Sequence, residues 1–258
     1  MIKKIFALII ISNSYSLYAA PNLKFCYEDQ DSYPWVLKDG SGLNIEQLKS
    51  VAKKLELQIN FAAVPWKRCL DDLKKGEFDG AFAASYKTER LDYGYYPTVD
   101  QTLKGKVDES KRLHTNQYSL YVLHEEQNIK WDGKEIKGTE VVGSLPGYSI
   151  NDFLVNMKKR VDDGTRLPVG VLEKLLNKRF NAVALQDYRA DYIISSSPQF
   201  KNKVKKLTPP LEKKPYYLML SKKLVESDKI LATKIWKAVE EIRESAEFKK
   251  QMNEYLKK

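Results

Sequence analysis

Phe78-Asp79-Gly80-Ala81-Phe82-Ala83-Ala84-Ser85 and Phe180-Asn181-Ala182-Val183-Ala184-Leu185-Gln186-Asp187 run in step at an offset of 102 (180 minus 78). Each reads as a short, fully buried strand that starts on an aromatic and ends on a polar residue. Two buried strands can match by chance, so the weight rests on what precedes them. Before the first, Leu23 to Tyr27 is a strand and Glu28 to Gly42 a turn-rich loop. Ile45, Leu48, Val51, Ala52 and Leu55 then recur at the spacing of one helical face. Leu57 to Phe61 is a second strand, Pro65 opens a second helix, and Gly76 ends it. The order β-α-β-α-β specifies a parallel sheet with helices on its faces. Before the second copy, Val141-Val142 is a strand, Ser149 begins a helix, and Val171, Leu172, Leu175 and Leu176 line another. The expected fold is therefore α/β with two lobes, each a mainly parallel sheet flanked by helices.

Between the halves, Tyr118 to Leu123 reads as a strand, and Tyr216 to Leu220 as another, which supplies two crossovers as a hinge. The segment from Asp228 to Leu256 is helical, with Leu231, Ile235, Val239 and Ile242 as its buried stripe, and should pack on the first lobe. The division that follows is residues 20–118 with 218–258 for lobe 1, and 119–217 for lobe 2. Residues 1–19 read as a cleaved secretory leader: Lys3 and Lys4 precede the apolar run Ile5 to Ile11, which is too short to cross a bilayer. No small residues precede Cys26 as lipid attachment would require, so the mature protein is expected free in the periplasm.

Removing Lys3 and Lys4, with no acid in the leader, takes the formal charge from +10 to +8. The lysines lack the interleaved aromatics that single-stranded nucleic acid needs, and export argues further against nucleic acid. The positive field suits acidic ligands or simple solubility. In an oxidising compartment Cys26 and Cys69 can form a disulfide or stand as two separately buried thiols; spacing alone leaves both open. His114 and His124 have no clustered Cys or carboxylate, so neither a metal nor a cofactor is expected.

Three stretches, Pro65-Trp66-Lys67-Arg68, Leu73 to Gly80 and Ala84-Ser85-Tyr86-Lys87-Thr88-Glu89-Arg90, followed by Val142-Gly143 through Gly147-Tyr148-Ser149 and by Ala182 to Asp187, resemble in order the bacterial periplasmic solute-binding proteins of polar amino-acid ABC transporters. These are the family 3 extracellular solute-binding proteins, with the type 2 periplasmic-binding fold. The resemblance implies a monomer that closes two lobes on an amino acid or related small anion and delivers it to a membrane permease or a sensory receptor. It implies that Arg90 grips the ligand's α-carboxylate, a role guanidinium geometry suits. Tyr33, Trp35 and Trp66 would form apolar walls. The strand ends independently put Ser85 and Asp187 at the cleft, one per lobe. Asp187 would take the α-ammonium, and Ser149, opening a helix, would meet the carboxylate. Each has a plainer alternative: a surface ion pair for Arg90, an ordinary cap for Ser149, loop props for the aromatics.

Two departures stand out: Ala83 where many relatives carry a hydroxyl, and Asn181 for the usual acid at the start of the strand. Glu28 and Arg68 rank below the other cleft candidates. The rival class is a dehydratase on the same fold acting on a cyclic acid, since some relatives are such enzymes. Glu28 and Glu173 are the carboxylates available for it, and neither has a histidine partner. No Gly-x-Ser-x-Gly elbow or His-Glu-x-x-His helix is present.

Overall fold

The computed structural model describes residues 21–256, so the leader expected over residues 1–19 lies outside the described residues. The first run folds as β1 (Asn22–Glu28), α1 (Leu43–Lys54), β2 (Gln58–Val64), α2 (Trp66–Lys75), β3 (Gly80–Ser85) and the short β4 (Gly94–Tyr95). Pro65 precedes α2, and Gly76 ends it in the left-handed conformation at φ 75°, which glycine adopts without strain. Next come β5 (His114–Leu123), the ribbon β6 (Lys130–Trp131) with β7 (Ile136–Lys137), β8 (Val141–Gly143), α3 (Ile150–Asn156) and β9 (Arg160–Asp162). The second lobe continues through α4 (Pro168–Leu176), β10 (Ala182–Gln186), α5 (Asp187–Ser196) and β11 (Val204–Lys206). The chain returns along β12 (Glu212–Ser221) and finishes with α6 (Lys222–Ser227), α7 (Lys229–Glu244) and α8 (Ala246–Tyr255).

The main sheet runs in the order β2-β1-β3-β12-β5-β10-β8-β9. β1 is parallel to β2 and β3, and β8 is parallel to β9 and β10, as crossover helices require. β12 and β5 are antiparallel to each other, Glu212 to Tyr216 against Tyr118 to His114. Beyond that segment they diverge. The last residues of β12 pair with β3 and β4, while those of β5 pair with β10 and β11. The crossovers are thus two long strands shared by both lobes.

Each lobe buries both faces of its sheet. In the first, Leu43, Ile45, Leu48 and Val51 of α1 meet Ile235 and Val239 of α7 on one face; Leu70 and Leu73 of α2 pack on Ala81, Tyr217 and Met219 on the other. In the second, Ile150 and Leu154 of α3 lie on one side, and Val171, Leu172 and Leu175 of α4 on the other. Each such fully enclosed side chain contributes about 1.5–3 kcal/mol. The expected single C-terminal helix is two, because Ser245 leaves helical geometry (ψ 147°) and its Oγ accepts from the Phe248 amide to start α8. No helix among the described residues is long and apolar enough to cross a membrane.

Cys26 of β1 and Cys69 of α2 form a disulfide, closing a separation of 43 residues beneath the first lobe's second core. By the loop-entropy relation a bridge of this span is worth up to about 4 kcal/mol. Replacing both cysteines with alanine should lower the unfolding free energy by about 2–4 kcal/mol in urea titrations; an unchanged midpoint would show that the bridge contributes nothing.

Candidate functional site

β3 carries one residue more than its neighbour between Ala81 and Ala84, where only Leu218 intervenes between Met219 and Tyr217. Ala83 sits in this bulge at φ 59°, a left-handed conformation uncommon for a side chain with a Cβ. Phe82, Ala83 and Ser85 all line a cleft between the lobes. After Ser85 the chain makes a short 3-10 turn, Thr88–Asp92, that brings Arg90 back under the strand end.

Arg90 is buried, with 4% of its surface exposed. Its Nη1 donates to the Ser85 carbonyl (2.6 Å) and to Ser85 Oγ (3.2 Å), and its Nη2 to the Gly147 carbonyl across the cleft (3.0 Å). Trp66 lies beneath it, 5.3 Å from ring centre to Cζ, a cation–π contact. Tyr96 donates to the same Ser85 carbonyl at 2.7 Å, and burial pushes its phenol up to about 12. These partners are neutral. Among the described residues Arg90 has no carboxylate partner.

The facing wall comes from the second lobe. Ser149 Oγ meets Ser85 Oγ at 2.8 Å. Tyr148 donates to Glu28 Oε2 and accepts from Arg189 Nη1. Arg189 reaches from α5 into the first lobe: Nη2 contacts Glu28 Oε2 at 2.9 Å, and Nε and Nη2 donate to the carbonyls of Asp31 (2.6 Å) and Gln30 (3.2 Å). Burial disfavours its charge, yet Tyr148 and Glu28 hold its pKa above the ordinary guanidinium value. At the rim Arg166 pairs with Asp29 (2.7 Å) and Lys87 with Asp152 (3.0 Å). At the crossover end Gln186 donates to Tyr216 (2.7 Å) and Tyr216 to Tyr118 (3.0 Å). His114 stacks between Tyr216 and Trp35, with Nδ1 3.0 Å from Asn44 Oδ1.

Four residues singled out from the sequence, Arg90, Ser85, Trp66 and Ser149, therefore line one cleft. Three do not. Asp187 opens α5, where an acid complements the helix dipole, and its Oδ2 turns away to Gln117 (2.6 Å) and Lys206 (3.5 Å). Asp187 Oδ1 is buried without a hydrogen-bond partner, and the bulge accounts for the placement. The extra residue in β3 shifts the equivalence by one, so Gln186 and not Asp187 shares the cleft with Ser85. Trp35 lies behind His114, and Tyr33 stacks on Tyr192 of α5 while donating to the Tyr255 carbonyl. Arg68 is exposed and pairs with Asp72, whereas Glu28 does line the cleft. Tyr148, Gln186, His114 and Arg189 were not singled out. An isolated Arg189 two positions into a helix carries no local signal of a partner 161 residues away.

Two lobes joined by paired crossover strands, with a polar cleft between them, define a bivalve solute-binding architecture. The chain belongs to the bacterial extracellular solute-binding proteins, family 3, whose profile matches residues 23–258. Solved structures share the fold at low identity. The GluR0 ligand-binding core from Nostoc punctiforme, in complex with L-glutamate, matches at 14% identity and TM-score 0.70, covering 90% of this chain and 98% of that one. An arginine transport-system periplasmic binding protein from Legionella pneumophila matches at 17% and 0.70, covering 92% and 100%. An ancestral amino acid-binding protein described as a precursor of cyclohexadienyl dehydratase matches at 14% and 0.67, covering 91% and 95%. A search of curated protein sequences finds no match.

Burial holds the His114 pKa well below its ordinary value. Below about pH 6.5 the unfolded chain takes up a proton that the folded imidazole refuses, so stability falls with pH by up to about 1.4 kcal/mol per unit. Urea titrations between pH 6.5 and 5 should show this slope, and His114→Gln should flatten it; an unchanged slope would remove His114 as its source.

Proposed function

We propose that this protein is the solute receptor of an ABC transporter, exported to the periplasm by the leader at residues 1–19, and that it closes its lobes on an amino acid or related small carboxylate. The observation that carries this reading is Arg90: a guanidinium in the cleft, 4% exposed, with only neutral acceptors around it. Three of its five N–H donors are occupied, and the remaining two sit on the adjacent atoms Nε and Nη2, matching the two oxygens of a carboxylate. Trp66 provides a face beneath the bound group, and Ser85 and Ser149 flank it from opposite lobes. The lobes divide near residues 118 and 218, close to the paired segments His114–Tyr118 and Glu212–Tyr216, so closure bends two strands and leaves each core intact. A membrane permease, or a sensory receptor, recognises the closed form. The glutamate-bound Nostoc core and the Legionella arginine transport-system protein support an amino-acid class of ligand.

The protein performs no reaction. Glu28 is engaged by Arg189 and Tyr148, and Glu173 stands exposed on α4, so neither is an unengaged proton donor in the cleft. Turnover of a cyclic acid such as prephenate above background would overturn this point.

In a thermal-shift screen of the mature protein against amino acids and small carboxylates, a ligand at 100 times its Kd should add about 2.7 kcal/mol of stability. Arg90→Ala should abolish the shift while the unliganded protein still melts cooperatively; retained affinity would remove Arg90 from the site.

A further inference from the structure

Helix α5 belongs to the second lobe but sends three side chains, Tyr188, Arg189 and Tyr192, onto the first. Ala190 packs in the second lobe's core, and Asp187 meets Lys206 of β11, so the helix moves with that lobe. Arg189, with 1% of its side chain exposed, points into the loop that follows β1. Three of its four hydrogen-bond acceptors lie there: Glu28 Oε2 and the carbonyls of Gln30 and Asp31, the fourth being Tyr148. Tyr188 meets Trp35 edge to face at 5.8 Å, and Tyr192 stacks on Tyr33 at 4.6 Å. That loop is itself tied to the first lobe, since Trp35 packs in its core and Tyr33 donates to the Tyr255 carbonyl of α8. Arg90 faces the cleft, whereas Tyr188, Arg189 and Tyr192 do not line it.

Resting on the solute-binding reading above, we infer that α5 and the loop at residues 28–36 form a latch that holds the lobes together without the solute, and that Arg189 is a positioning residue that tightens solute binding without touching the solute. These contacts are made wholly by the protein, so they favour the closed arrangement whether or not the cleft is filled. Hydration of Arg189 and Glu28 on opening offsets part of the ionic contribution. The two aromatic contacts bury apolar surface, and opening would return that surface to water. A solute that meets a protein already inclined to close spends less of its own binding energy on closure. Its apparent affinity therefore rises with the population of the closed arrangement.

Small-angle X-ray scattering of the solute-free protein reads the latch directly. Arg189→Met and Tyr192→Ser should each give a larger radius of gyration than the wild type, with Arg189→Met the larger of the two. Tyr192 is half-exposed, so its variant keeps the test available if Arg189→Met fails to melt cooperatively. Equal radii in the wild type and the folded variants overturn the inference. The standard amino acids serve as solute probes. For any that binds, dissociation should be faster from both variants, by about tenfold from Arg189→Met, and association no slower. A lower melting temperature with unchanged radius and dissociation rate would make Arg189 a structural residue only. Faster dissociation with an unchanged solute-free radius would make it a solute contact; either result overturns the latch. Binding of no amino acid counts against the solute-binding reading, while the scattering comparison still decides the latch.

Discussion

The antiparallel pairing of His114–Tyr118 with Glu212–Tyr216 is the constraint from which the rest of the molecule follows. It is where β5 and β12, each ten residues long, serve both lobes. At one end β12 closes the first lobe's sheet; at the other β5 opens the second's. Strands of this length can bend without breaking their neighbours' ladders, so the lobes can keep their own cores while the angle between them changes. The same pairing supplies the cleft's inner end, since His114, Tyr118 and Tyr216 project from it. The part that joins the lobes is therefore also part of what they close on.

Across the cleft the contacts are polar and few: Arg90 to Gly147, Ser85 to Ser149, and the Glu28, Tyr148 and Arg189 cluster. These bonds differ in kind. Arg189 brings a buried cation to Glu28, and each charge would be costly alone, so the pair favours the closed arrangement by avoiding two unmatched charges. Arg90 receives only carbonyl and hydroxyl oxygens. One guanidinium is thus paired with a carboxylate of the protein, whereas the other meets only neutral oxygens, which is why the proposed reading puts a solute's carboxylate there.

Most of the architecture was legible in the sequence because helical and strand periodicity are set within a few residues. Ile45, Leu48 and Val51 mark α1, and Pro65 and Gly76 bound α2. Arg90, Ser85, Trp66 and Ser149 were legible as well, each lying close to an element boundary that sequence can locate. The other three candidates sit where they do for separate reasons. A bulge in β3 shifts the equivalence of the two strands by one, so Gln186 lines the cleft beside Ser85 while Asp187 begins α5. Tyr33 and Trp35 lie in the loop after β1, and what they touch, Tyr192 and His114, comes from distant elements.

The sequence by itself determined the α/β order, the two-lobed division and the presence of a guanidinium where strand β3 ends, since all are encoded in local spacing and residue type. Only the tertiary structure decided which charges meet in the cleft. Glu28 and Arg189 lie 161 positions apart, and the choice between Gln186 and Asp187 depends on how β10 and its counterpart β3 pair with their neighbours and where α5 begins. The physical reason is that charge compensation acts through space over a few ångströms, so it is fixed by the partners that folding brings together rather than by the residues adjacent in the chain.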